Sequence, residues 1–252
     1  MRYALKVAYD GTDFCGWQVQ PNGYSIQQAL SDAAKSAFGE DVIFTASGRT
    51  DSGVHALGQV CHADIRADIP PQRLADALNC HLPQSISVLA SAAAPEGFDA
   101  NRSAKKKTYV YNLYFSPRRN PLKDRYSQHI RGATDISALN AAAQLFVGEH
   151  DFKAYCASRS QVKTTVRTVF SAYAEESGED VKITVCGGGF LYNMVRTMAG
   201  TMLGCASGAL SRDDIINSLS TGSRNLVGKT MPARGLVLMD VDYGFDLFGE
   251  HL

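Results

Sequence analysis

The chain has 252 residues, of which 45% are hydrophobic and 20% charged, and its formal net charge is zero. This composition predicts a globular protein that buries its core either as one large domain or as two halves. No apolar run approaches the roughly 18 residues that span a bilayer, and the start lacks a signal-peptide pattern, so we expect a cytoplasmic protein without membrane association. Six cysteines without C-x-x-C spacing predict reduced thiols and no metal site.

The first half of the chain shows the predicted element order β-α-β-β-α-β. Residues 2–9 alternate in polarity and predict a strand. Ser25 and Gln28 form a capping box that opens a helix, and Gly39 ends it. β-rich composition and an opening proline predict the rest, namely strands 42–46 and 59–65, helix 70–79 and strand 86–92.

The same order returns in the second half. The predicted elements are strand 107–115, helix 136–147 closed by Gly148, strands 166–175 and 181–186, helix 191–205 and strand 235–243. A short extra helix, 213–219, is capped by Ser211. This repeated split β-α-β pattern predicts an α+β fold of two similar halves, 1–103 and 104–252, whose mixed or antiparallel sheets flank a central cleft.

The charge is unevenly distributed along the chain. Residues 1–103 carry 7 basic and 11 acidic side chains, whereas residues 104–252 carry 18 and 14. Between Arg102 and Arg131, nine bases face the single acid Asp124. Such a segment suits RNA phosphates, although a solvated basic surface has the same composition. The candidate phosphate contacts are Lys105, Lys106, Lys107, Arg118 and Arg119.

The densest polar cluster of the sequence spans residues 47–56 and contains Gly48 and Gly53, which permit a tight backbone. Arg49 and Asp51 lie two residues apart, so an extended stretch would direct both to one side. The cluster suits either a functional carboxylate or a hairpin turn rich in glycine and serine. The glycines at 187–189, which precede a predicted helix, are a weaker candidate for binding phosphate through backbone amides.

Residues 48–56, Gly-Arg-Thr-Asp-Ser-Gly-Val-His-Ala, resemble the catalytic loop of the A-type tRNA pseudouridine synthases, whose pattern is G-R-T-D-A-G-V-H. Further stretches similar to this family cover nearly the whole chain, at residues 9–14, 16–20, 58–60, 109–111, 148–152, 190–196 and 235–238. The resemblance implies a pseudouridine synthase fold and a homodimer whose subunits share each tRNA. It also implies conversion of uridine to pseudouridine at tRNA positions 38, 39 and 40, with no cofactor.

The resemblance also assigns roles to individual residues. Asp51 would be the catalytic carboxylate, acting as nucleophile or base, and Arg196 would position it and keep it ionised. Arg49 would hold a substrate phosphate or the space left by the target nucleotide. Tyr109 would stack on the target uracil, whereas its place on one face of a strand with Tyr111 would by itself indicate a core residue.

Two departures from the family pattern concern RNA contacts. Residues 98–101 read Phe-Asp-Ala-Asn where the family usually has Phe-His-Ala-Arg, and Lys107 replaces an arginine. Two rival functions stay open at this point. One is a related synthase that acts at another RNA position, and the other is a tRNA-binding chaperone that uses the basic segment without chemistry.

Overall fold

A computed structural model describes residues 1–157 and 162–249. Contacts divide the chain into two compact units. The first comprises Met1–Lys105 and a second stretch that begins at Leu238, and the second comprises Lys106–Val237. The predicted division into 1–103 and 104–252 placed the stretch from Leu238 onward in the second half, whereas contacts place it in the first unit. Helices combine with mainly antiparallel strands, so the predicted α+β class is confirmed.

The first unit contains an antiparallel sheet. Its strands are Arg2–Tyr9 (β1), Thr45–Ala46 (β2), His55–Asp64 (β3) and Ile86–Ala93 (β4). β1 lies between β4 and β3, and the short β2 pairs with β3. Each strand predicted for residues 1–103 has an observed counterpart, but the predicted strand 42–46 is reduced to Thr45–Ala46. β3, however, begins four residues earlier than position 59, so the polar segment before it is shorter than predicted.

The helices of this unit follow the predicted local signals. Ile26–Phe38 (α1) begins where Ser25 Oγ accepts a hydrogen bond from Gln28 N at 3.1 Å, and it ends at Gly39, whose φ is 70°. The buried residues of α1 recur at helical spacing and face the core. A 3₁₀ turn, Pro71–Arg73, leads into Leu74–Asn79 (α2), so the predicted helix 70–79 is confirmed with a tighter first turn.

The second unit is also built on paired strands. Its strands are Lys106–Phe115 (β5), Gln128–Ile130 (β6), Gly148–Asp151 (β7), Val166–Ser177 (β8) and Asp180–Gly187 (β9). The antiparallel order is β5-β9-β8-β7, and β6 pairs parallel with β5. β6 and β7 were not predicted, because they have three and four residues and are too short to show a period. The last strand, Leu236–Asp242 (β10), passes from the second unit into the first at Leu238.

The helices of the second unit are Ile136–Gln144 (α3), Met194–Ala206 (α4) and Arg212–Thr221 (α5). Asn140 on α3 exchanges two hydrogen bonds with the backbone of Ala174 on β8, at 2.8 and 2.9 Å, which fixes this helix on the sheet. The predicted extra helix is α5, and Ser211 and Asp214 form its capping box. No helix within the described residues is both long and apolar enough to cross a membrane.

Candidate active site

The polar segment from Ser47 to Val54 connects β2 to β3 in the first unit and carries Asp51, and we call it the Asp51 loop. Thr50 is buried, Arg49 is exposed and Asp51 is half-buried, so burial alternates along the loop as an extended stretch requires. After Asp51 the chain turns, with Val54 N donating to Asp51 O at 3.1 Å and Gly53 at a φ of 76°. Asp51 therefore lies where the extended stretch ends and the turn begins.

Two glycines that follow β1 let the backbone approach the Asp51 loop closely. A Cβ atom on Gly11 would lie 2.0 Å from the Val54 carbonyl oxygen, and one on Gly16 would lie 2.6 Å from the Thr50 carbonyl oxygen. Gly16 also has a φ of 104°, which side chains disfavour. Trp17 N donates to Thr50 O at 3.1 Å. The segment after β1 thus supports the backbone on both sides of Asp51.

A buried polar network stabilises the Asp51 loop through hydrogen bonds from β3, and we call it the Gln59 network. The Gln59 side chain accepts from Ser47 Oγ at 2.8 Å and donates to Gly48 O at 2.9 Å. It also donates to the Tyr9 hydroxyl at 3.4 Å, and that hydroxyl bonds Thr50 Oγ1 at 2.8 Å. Burial raises the pKa of Tyr9 to about 12, so its hydroxyl keeps its proton. No role was predicted for Gln59, although a glutamine inside an apolar strand is a signal for such a network.

A second support comes from His55, the first residue of β3, which is 4% exposed. Its Nδ1 atom lies 3.1 Å from both Gly11 N and Asp10 Oδ1. A single ring nitrogen serves one of these contacts at a time. When Nδ1 is unprotonated it accepts a hydrogen bond from Gly11 N, and when it is protonated it donates one to Asp10 Oδ1. In either state the histidine joins the start of β3 to the segment after β1.

The altered residues 98–101 also support this loop. Asp99 Oδ1 accepts from the backbone N–H groups of Asn101 and Arg102, both at 2.9 Å, and closes a turn. These bonds lower the pKa of Asp99. The Asn101 side-chain amide donates to the carbonyl oxygen of Ser47. Asp99 and Asn101, which depart from the family pattern, therefore make intramolecular contacts in this structure.

Tyr109 lies on β5 in the second unit and is 7% exposed. Its ring meets the edge of Phe190 with centroids 5.2 Å apart. Tyr111, two residues along the same strand, is fully buried and donates its hydroxyl to Pro232 O at 2.7 Å, as expected of a structural residue. The edge-on contact with Phe190 fixes the plane of the Tyr109 ring.

Arg196 lies in the first turn of α4, and its guanidinium is held by two acceptors of the second unit. Nε donates to Met231 O at 2.7 Å, and Nη1 donates to Asn193 Oδ1 at 2.8 Å. Asn193 precedes the helix with a φ of 66°. This left-handed residue makes α4 begin at Met194 rather than at the predicted residue 191.

The glycines at 187–189 serve the sheet. Gly187 is the last residue of β9, and a Cβ atom there would lie 2.8 Å from Thr168 O. Gly188 N donates to the same carbonyl group at 3.0 Å. An amide bonded in this way does not point at a ligand, so the N–H group of Gly188 does not serve phosphate binding.

The candidate phosphate contacts differ in exposure. Lys105, Lys106, Arg118 and Arg119 are exposed, and Arg119 forms an ion pair with Asp124. Lys107 is only 9% exposed, and burial lowers its pKa to about 8. The segment thus combines exposed cations with one cation that the fold buries.

Comparison with known proteins places this geometry in a family. A family model described as tRNA pseudouridine synthase matches residues 6–101 and 142–244. The tRNA pseudouridine synthase A of Geotalea uraniireducens is 45% identical over 239 residues, which cover 95% of this chain and 98% of that protein. That of Shouchella clausii is 42% identical over 248 residues, covering 98% of this chain and 95% of that protein. The chain therefore belongs to the tRNA pseudouridine synthase family.

Proposed function

We propose that the protein is an isomerase that converts uridine to pseudouridine at positions 38, 39 and 40 in the anticodon stem-loop of tRNA. The observation that carries the proposal is the structure of the Asp51 loop. Its half-buried carboxylate is supported by the Gln59 network and by Gly11 and Gly16, which let the backbone after β1 lie against the loop. Catalytic carboxylates need such preorganisation because their supporting shell fixes their geometry. The curated relatives are named for the same reaction on tRNA.

The reaction needs no oxidant and no cofactor. The bond between ribose C1′ and uracil N1 breaks, the detached uracil turns, and C1′ bonds to C5 instead. C5 then loses its proton and N1 gains one, so the product is an isomer of the substrate. Asp51 acts either as a nucleophile or as a base in this sequence, and one ionised carboxylate suffices for both routes.

The other substrate contacts are proposals that rest on family resemblance and local geometry. Tyr109 stacks on the target uracil, for which the fixed plane of its ring is suited, and stacking of this kind is worth about 1–3 kcal/mol. Arg49, exposed beside Asp51, takes a phosphate of the substrate. Arg196 supplies the cation that keeps the catalytic carboxylate ionised.

tRNA binding is proposed to use Lys105, Lys106, Lys107, Arg118 and Arg119. All except Lys107 are exposed, as phosphate contacts require, and Arg119 would exchange its partner Asp124 for a phosphate. Lys107 would contribute from a buried position on the same strand as Tyr109. We further propose that the protein is a homodimer whose subunits share each tRNA. It would act in the cytoplasm, where tRNA is modified.

The test is pseudouridine mapping of tRNA transcripts incubated with the purified protein, without added metal or cofactor. The parent should modify positions 38 to 40, and Asp51→Asn should modify none. Asp41→Asn is the matched control. It removes the same charge from an 86% exposed carboxylate paired only on the surface with Lys35, and it should retain parental activity.

Two outcomes favour the rivals. Tight tRNA binding without pseudouridine from the parent would favour the chaperone, which would not require a supported carboxylate. Modification at another position would support the enzymatic activity but contradict the proposed target. Asp99→His and Asn101→Arg, which restore the usual family residues, would then be the first substitutions to test.

A further inference from the structure

Asn193 is an unusual residue at the start of a helix. α1, α3 and α5 each begin after an extended residue whose side chain accepts from a backbone N–H group, namely Ser25, Asp135 and Ser211. Asn193 has a φ of 66° and makes no such capping bond. Within residues 1–157 and 162–249 it is the only residue other than glycine with a positive φ.

The Asn193 side chain binds an arginine instead of capping the helix. Asn193 Oδ1 accepts from Arg196 Nη1 at 2.8 Å, three residues along the chain. A left-handed residue before the helix turns its side chain away from the backbone N–H groups that an extended capping residue would reach. The strained backbone and the arginine contact are therefore two parts of one arrangement.

A second acceptor of this guanidinium, Met231 O, is also held by a backbone hydrogen bond. Met231 O accepts from Arg196 Nε at 2.7 Å, and Met231 N donates back to Arg196 O at 3.2 Å. Gly200 and Gly228 let this segment lie against α4, since a Cβ atom on Gly200 would lie 1.9 Å from Lys229 O. Two acceptors on different nitrogens of a planar guanidinium set both its position and its plane.

We propose that Asn193 is a positioning residue for the reaction, which orients the Arg196 guanidinium through its Oδ1 atom and adopts a left-handed backbone in order to do so. The inference rests on the role proposed for Arg196. It assigns Asn193 no contact with the substrate.

Substitutions at this position separate the backbone from the side chain. Asn193→Gly keeps the left-handed backbone at little cost but removes the acceptor, whereas Asn193→Asp keeps both. We expect Asn193→Gly to lower kcat for pseudouridine formation about tenfold or more, with KM for tRNA and the melting temperature nearly unchanged. Asn193→Asp should recover most of that loss.

A double-mutant cycle with Arg196→Ala decides whether the asparagine acts through the arginine. In the Arg196→Ala background, Asn193→Gly should cause little further loss of kcat. Parental kcat in Asn193→Gly, or an equal loss with and without Arg196, would overturn the inference while leaving the role of Arg196 intact. Parental kcat in Arg196→Ala itself would overturn both, because the arginine would then have no part in the reaction.

Discussion

The buried cation at Lys107 predicts how stability depends on pH. Burial lowers the pKa of this lysine from 10.5 to about 8. The unfolded chain therefore binds the proton more tightly than the folded protein, so this group makes stability rise as the pH climbs from 8 towards 10.5. A pKa difference of about 2.5 corresponds to about 3 kcal/mol, which is the cost of keeping the cation in the folded protein at pH 7.

Lys107→Met removes the charge while keeping much of the volume. We expect the free energy of unfolding, measured by urea denaturation at pH 7, to increase by up to about 3 kcal/mol. The advantage over the parent should shrink by about 1 kcal/mol between pH 7 and pH 9, as the parental lysine loses its proton. The buried Cys61 and tyrosines titrate in both proteins, so the difference isolates Lys107.

Lys106→Met is the matched control, because the neighbouring lysine is exposed and its removal should change the free energy of unfolding by no more than about 0.5 kcal/mol. The same Lys107→Met protein should be slower at forming pseudouridine, since a cation kept at this cost is expected to serve function. Equal unfolding free energies of parent and Lys107→Met at pH 7, with parallel pH profiles, would refute the reasoning.

Three further predictions concern the loop and the RNA. Gln59→Met removes the hydrogen bonds that Gln59 makes with the Ser47 hydroxyl and the Gly48 carbonyl and should lower the free energy of unfolding by about 1–3 kcal/mol in urea, whereas an unchanged value would argue against the network. Gly16→Ala forces a Cβ atom to within 2.6 Å of Thr50 O and should reduce the rate of pseudouridine formation more than it reduces tRNA affinity in filter binding. tRNA affinity should fall linearly on a log–log plot against salt concentration, and a flat response would exclude phosphate contacts as the main source of binding.

Local signals predicted those parts of the fold that depend on near neighbours. α1 follows from Ser25, Gln28 and Gly39, which lie within or beside the helix itself. The passage of β10 into the first unit depends on contacts far apart in sequence, which no local pattern encodes. The late start of α4 follows from the left-handed backbone of Asn193, which helix propensity does not predict.

In the candidate site, too, features that depend on neighbouring residues were predicted, and contacts that form only on folding were not. Asp51 and Arg49 stand out because they share a short polar loop with two glycines, and Arg196 and Tyr109 were identified only by family resemblance. The support from Gln59 and His55 is missing from the sequence prediction, because both residues lie in a strand and reach the loop only after folding. Burial of Lys107 likewise follows from packing, since a lysine in a basic run predicts exposure.

The most direct test of the central claim is tritium release from tRNA labelled at C5 of uridine, measured in single turnover with excess protein. Bonding of C1′ to C5 expels the C5 hydrogen, so release reports the isomerisation itself. The parent and Asp41→Asn should release tritium at the same rate, and Asp51→Asn should release none above background. Release by Asp51→Asn at the parental rate would contradict the assignment of the catalytic carboxylate, and no release by the parent would contradict the proposed reaction.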